Sequence, residues 1–123
     1  MGATFDPVGL YRFNAVMEML VAEKIDVATV HEHIHRVQTR FVSELRKRRT
    51  PLVEDALLVP IEQHDRGHFL TYALPNAHDI HERLLEHEVV TDVRGDRLRF
   101  GFGLYHDESD VVVGVDRIAR ALE

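Results

Sequence analysis

The run Leu98-Arg99-Phe100-Gly101-Phe102-Gly103-Leu104-Tyr105-His106-Asp107-Glu108-Ser109-Asp110 constrains the fold more than any other part of the chain. It starts with a two-residue period. Leu98, Phe100 and Phe102 fall on one face of a strand, and Arg97, Arg99, Gly101 and Gly103 on the other. Arg99 therefore stands opposite an aromatic core, beside glycines that leave room for a small anion. A guanidinium can hold such a carboxylate by two parallel hydrogen bonds. The period ends at Tyr105. Asp107 then reads as the N-cap of a closing helix with acidic residues in its first turn.

The rest of the chain supplies the partners for that strand. Asp6-Pro7 is a helix start, with an N-cap carboxylate and proline at the first helical position. Leu10, Phe13, Met17, Leu20 and Val21 make one apolar stripe behind it. Asp26 caps a second helix, striped by Val30, Ile34, Val37, Phe41 and Leu45. After Pro51 the pattern turns to strands: an apolar run over 56–61, turn chemistry at His64-Asp65-Arg66-Gly67, and a β-rich run over 68–74. Pro75-Asn76 starts a helix carrying Ile80, Leu84 and Leu85. Strands are expected over 89–93 and 97–102, joined at Arg94-Gly95-Asp96, and the last helix is striped by Val111, Val115, Ile118 and Leu122. This order gives an α+β fold: a small, mostly antiparallel sheet with helices packed on one face. No repeat, low-complexity tract or long linker divides the chain, so residues 1–123 are expected to form a single domain.

Composition bounds the function. A chain of 123 residues buries roughly two-thirds of the surface its unfolded form exposes, and 45% hydrophobic with 29% charged residues is ordinary for a globular protein. No apolar run approaches the ~20 residues that span a bilayer, and no signal peptide opens the sequence. There is no cysteine, which excludes disulfides, a thiol nucleophile and Cys-based zinc sites, and suits the cytoplasm. A net charge of −6 argues against nonspecific nucleic-acid binding. The basic run Arg46-Lys47-Arg48-Arg49 complements the negative end of a helix that stops before Pro51; a phosphate or nucleic-acid patch is the rival reading.

Other chemistry-bearing residues give weaker signals. His31 and His35 share a helical face, with Glu32 and His33 nearby, but no third metal ligand stands at a recognisable spacing. A solvated polar face explains them, and likewise His78, His81, His87, Glu82 and Glu86. The two lysines are Lys24, beside Glu23, and Lys47, beside arginines. Neither has the desolvated setting of an imine-forming lysine. Gly-x-Ser-x-Gly is absent, and Gly101-Phe-Gly103 lies inside a strand without the third glycine of a phosphate loop. From the residues alone, Arg99 is either a ligand site or a strand arginine paired with a neighbouring carboxylate such as Asp92.

The run from Arg99 through Leu104-Tyr105-His106-Asp107 resembles the last strand and helix of the class V aminotransferases. These are fold-type I pyridoxal-phosphate (PLP) enzymes that include cysteine desulfurases, selenocysteine lyases and kynureninases. His106 stands where the family has Asn, and Asp107 where it has Thr; Asp caps a helix as well as Thr. Thr4-Phe5-Asp6-Pro7 is similar to the point where these enzymes leave the large domain. Gly67-His68-Phe69-Leu70-Thr71-Tyr72 and Val89-Val90-Thr91-Asp92-Val93-Arg94 are similar to their small-domain strands. The resemblance implies that the chain is the C-terminal small domain, that Arg99 grips the α-carboxylate of an amino-acid substrate, and that PLP serves the complete enzyme but is not held by this chain alone. It also implies that the Schiff-base lysine and phosphate cradle belong to a large domain this sequence lacks. Phe5, Val8, Leu10 and Tyr11 would then be stranded at the surface, so a homodimer is expected. Two readings from other classes remain: a free-standing small-carboxylate-binding or regulatory module using the Arg99 face, and a metal-binding or interaction protein built on the histidine-rich helices.

Overall fold

In the computed structural model, which describes residues 4–123, the chain divides into two compact units, one ending at His31 and the other running from Glu32 to Glu123. Helix α1, Val8–Ala22, lies in the first. Pro7 already has helical dihedrals (φ −80°, ψ −3°), and the Asp6 carboxylate accepts the Val8 N–H at 3.0 Å. None of the residues of α1 is buried. It ends on Lys24 at φ 56°, with Ile25 N–H bonding to Leu20 O and Lys24 N–H to Val21 O. Helix α2, Val27–Arg46, begins as expected: the Asp26 carboxylate accepts the Thr29 N–H and hydroxyl, both at 2.7 Å.

The larger unit is a three-stranded antiparallel sheet with helices on one face. Strand β1 is Phe69–Ala73, β2 Asp92–Arg94 and β3 Arg97–Gly101, in the order β1-β3-β2. Alternation along β3 has the expected sense, since Leu98 and Phe100 are buried and Arg97, Arg99 and Gly101 are not. Leu70 and Tyr72 of β1 bury on the same face. Against them pack Val37 and Phe41 of α2, Ile80 and Leu84 of α3 (Ala77–Glu86), and Val111, Val115 and Ile118 of α4 (Glu108–Leu122). Phe41 joins the layers, its ring 5.2 Å from that of Phe100 and 5.3 Å from that of Phe102. Two residues, Gly95 and Asp96, link β2 to β3; only Gly95 takes a positive φ (58°), the requirement at the first position of a type II′ hairpin turn. No helix among the described residues is long and apolar enough to cross a membrane.

Four local expectations are corrected. Residues 56–61 are not a strand. Glu54–Ala56 form a 3-10 turn, Leu57 makes one isolated bridge to Tyr72, and Leu58 N–H bonds to Thr71 O. Pro60 has no N–H to extend the ladder, and a turn follows in which Gln63 N–H bonds back to Pro60 O. Leu85 is 52% exposed, because the buried face of α3 runs through Ala77, Ile80 and Leu84. Residues 89–91 lie outside β2, and Leu122 is only half-buried while Ala121 takes the core position.

Candidate functional site

Hairpin register builds the site. Asp92 of β2 and Thr71 of β1 lie directly opposite Arg99, so all three point away from the core. The Nε of Arg99 donates to Asp92 Oδ2 at 2.8 Å, and Nη2 donates to the same oxygen. Arg99 Cζ lies 5.6 Å from the Phe69 ring centroid, within cation–π range. Its side chain is 31% exposed. The structure thus contains the pairing with Asp92 that the sequence offered as the rival to a ligand site. That pairing uses one edge of the guanidinium. Nη1 has no hydrogen bond among the described residues, leaving the Nη1–Nη2 edge for a second, bidentate acceptor. The Arg99 guanidinium, more than the nearby Arg94, holds the Asp92 carboxyl below its ordinary value.

Arg99 lines an open groove of about 790 Å³. Phe69 of β1 and His68 just before it wall one side, Glu88, Val90 and Thr91 another from the segment after α3, and Tyr105 and His106 a third from the turn after β3. Both flanks are pinned. His81 Nδ1 and Thr91 Oγ1 are 2.8 Å apart, which ties the 88–91 segment to α3. In the turn, His106 Nδ1 accepts the Gly103 N–H at 2.9 Å, and the His106 carbonyl accepts from His33 Nε2 at 2.7 Å. Arg36 donates to the other ring nitrogen of His33 at 3.2 Å, so the neutral His33 tautomer with its proton on Nε2 satisfies both contacts. His106 thus closes this turn through its own ring. A Cβ on Gly103 would overlap the Tyr105 ring, whereas one on Gly101 would meet open space.

Below the turn, Asp107 and Asp110 form a reciprocal capping box. The Asp107 carboxylate accepts the Ser109 and Asp110 N–H groups at 2.8 and 3.0 Å, and Asp110 accepts the Asp107 N–H at 2.9 Å. The hydrogen bond from Ser109 is the main cause that holds the Asp107 carboxyl below its ordinary value. The cap anchors the end of the groove to α4.

The remaining candidates lie elsewhere. Lys47 Nζ donates to Glu44 at 2.7 Å from a half-exposed position, and Lys24 is exposed at the end of α1, so neither lysine has the desolvated setting of a cofactor imine. The basic run serves as ion-pair partners: Arg46 with Glu54, and Arg48 with Asp116 at 2.5 Å. No group of three or more His, Asp or Glu among the described residues is arranged to hold a metal ion. Sequence reasoning passed over Arg66. Its sequence neighbours place it in a turn, yet it is 6% exposed and hydrogen-bonds the fully buried Gln38. A family model described as the kynureninase C-terminal domain matches residues 30–118. No curated protein matches the chain.

Proposed function

The chain belongs to the kynureninase C-terminal domain family, and from that premise we propose that it is the substrate-carboxylate-binding small domain of a PLP-dependent enzyme acting on an amino acid. The observation that carries this reading is the geometry of Arg99. It stands on the outer sheet face, is oriented by Asp92 along one edge, and presents its other edge to an aromatic-walled groove. A carboxylate received there would be fixed by paired N–H···O bonds, and the rest of the amino acid would lie along Phe69 and Tyr105. PLP belongs to the full enzyme; the two lysines here do not fit a cofactor imine, so the chain's own part is to bind and orient substrate.

The partners in this reading are a large PLP-binding domain, the amino-acid substrate and a second copy of the chain, in a cytoplasmic setting. Exposed Phe5 (72%) and Tyr11 (69%) support self-association when the large domain is absent. Sedimentation at rising concentration should therefore show a dimer, and a strictly monomeric chain would remove that partner from the reading.

The decisive experiment joins the chain to the PLP-binding domain of a kynureninase-family enzyme. Arg99→Lys should raise KM for the amino acid by about tenfold or more, because lysine cannot reproduce the planar fork. An unchanged KM would defeat the proposal. The groove is built wholly within residues 68–106, which also favours a second reading: a free-standing small-carboxylate-binding module. Saturable, Arg99-dependent calorimetric binding of amino acids or keto acids to the chain alone would favour that module over a domain that works only when assembled.

A further inference from the structure

Two charged side chains in the larger unit are almost fully buried, and they are neutralised differently. Glu44, 5% exposed, has Arg40 at 2.9 Å and Lys47 at 2.7 Å. Arg66, 6% exposed, has no carboxylate within ion-pair distance among the described residues. Its Nε donates to Gln38 Oε1 at 3.0 Å and Nη1 to the Gln63 carbonyl at 2.8 Å, both neutral acceptors. Burial pulls its pKa below the ordinary arginine value, and the charge of Glu62 acts in the opposite direction.

The guanidinium is also held rigidly. Gln38 Nε2 donates to the Gly67 carbonyl at 3.0 Å, and His35 Nε2 lies 3.3 Å from the Arg66 carbonyl, so α2 grips the 66–67 backbone on both sides. An arginine has five N–H groups, and these contacts use only two. Nη2 has no hydrogen bond among the described residues, and no partnerless side-chain nitrogen among them is cut off from solvent, so water reaches Nη2. Arg66 lines a groove of about 460 Å³ together with His35, Arg36, Thr39, Glu62 and His64. Two arginines and two histidines thus face a single carboxylate. This groove shares no residue with the one beside Arg99.

We infer that this groove is an oxyanion-binding site, in which the preset Arg66 fork takes the oxygens of a small phosphate- or carboxylate-bearing molecule and Arg36 adds a second positive charge. A buried cation with only neutral acceptors is unfavourable unless an opposite charge reaches it. Arg66 is itself part of the wall of this groove, so an anion entering it would meet a guanidinium that lacks a counter-charge.

The test is a titration of the full 123-residue chain with inorganic phosphate, and separately with acetate, against chloride at matched ionic strength. The arginine side-chain ¹⁵Nε signals report the site. The Arg66 signal should saturate with phosphate or acetate but not with chloride, and the more effective anion identifies the oxygen geometry. Arg66→Lys should weaken binding by about tenfold or more, and Arg99→Lys by less than about twofold. Glu62→Gln alters an exposed residue, so it serves even if Arg66→Lys fails to fold. Removing the competing charge should tighten binding by about two- to fivefold. A chloride response equal to that of phosphate and acetate, an affinity unmoved by Glu62→Gln, or a loss in Arg99→Lys as large as in Arg66→Lys would overturn the inference.

Discussion

Arg99 stands on the open face of a sheet and Arg66 against the buried face of α2, and the two are held by opposite chemistries. Arg99 keeps a third of its side chain in water and is oriented by a carboxylate. Arg66 is nearly dry and is oriented by an amide and a backbone carbonyl. Water screens the first charge, so its pairing with Asp92 adds little stability and chiefly sets direction. The second gains no such screening, and its hydrogen bonds tie the 63–67 loop to α2. Position in the fold, not residue type, decides how each fork is held: Arg99 by a charged partner in partial water, Arg66 by neutral acceptors in a nearly dry setting.

The largest expected effect tests what lies beneath Arg99. Phe100 is 5% exposed and packs on Phe41 and Tyr72, so Phe100→Ala should cost about 3–5 kcal/mol in chemical denaturation. Arg99→Ala, one residue away on the opposite face, should leave the melting temperature within about 2 °C. Equal losses would mean that Arg99 is part of the packed structure and that the contrast with Arg66 is false.

Arg66→Ala comes next. It strips Gln38 Oε1 and the Gln63 carbonyl of their donors in a place water barely reaches, and should cost about 1–3 kcal/mol. A loss no greater than that of Arg99→Ala would show that Arg66 is solvated and that the two settings do not differ.

Much of the Arg99 side of this comparison is legible in the sequence, because its causes are local. Alternation through Leu98, Phe100 and Phe102 sets the face, the two-residue turn at Gly95-Asp96 places Asp92 opposite Arg99, and Asp107 announces its helix by side-chain chemistry. The Arg66 side is not. His64-Asp65-Arg66-Gly67 has the polar composition of an exposed turn, and nothing nearby in sequence indicates burial. Its cover comes from Gln38, twenty-eight residues earlier, through tertiary packing. The apolar run at 56–61 misleads in another way: Pro60 denies it a ladder, and Leu58 and Val59 stay exposed despite their hydrophobicity. The pocket beside Arg66 is invisible at the level of sequence because Arg36, Glu62 and Arg66 converge only once α2 and the loop have packed.

Acid should separate the two arginines without a mutation. Asp92 has a folded-state pKa below its unfolded value, so the stability it lends is fully present above the ordinary aspartate pKa of 3.8 and is lost as pH falls through the lower folded value. Gln38 and the Gln63 carbonyl do not titrate in that range. The Arg99 ¹⁵Nε signal should therefore move with a midpoint below pH 3.8, while the Arg66 signal, which hydrogen-bonds no carboxylate and feels only the charge of nearby Glu62, should move less. A parallel shift in both would mean that Arg66 also leans on a carboxylate.

The smallest expected effect concerns the rim of the Arg99 groove, where Glu88 mirrors the position of Glu62 beside Arg66. Glu88 ends α3 at φ 61°, with Val89 N–H bonding to Leu84 O and Glu88 N–H to Leu85 O. That left-handed position favours glycine. Its side chain makes only an exposed ion pair with Arg117 at 3.1 Å, which returns little of the backbone cost. Glu88→Gly should therefore stabilise the chain by about 0.5 kcal/mol, the relief of the strained φ being partly offset by the greater freedom of glycine when unfolded. It should also remove a negative charge from the wall facing Arg99 and so strengthen carboxylate uptake there, while leaving anion binding at Arg66 unchanged. A denaturation midpoint that falls would show that the Arg117 pair outweighs the backbone term. Uptake that rises at both arginines would show that the two grooves share one diffuse field instead of holding two separate sites.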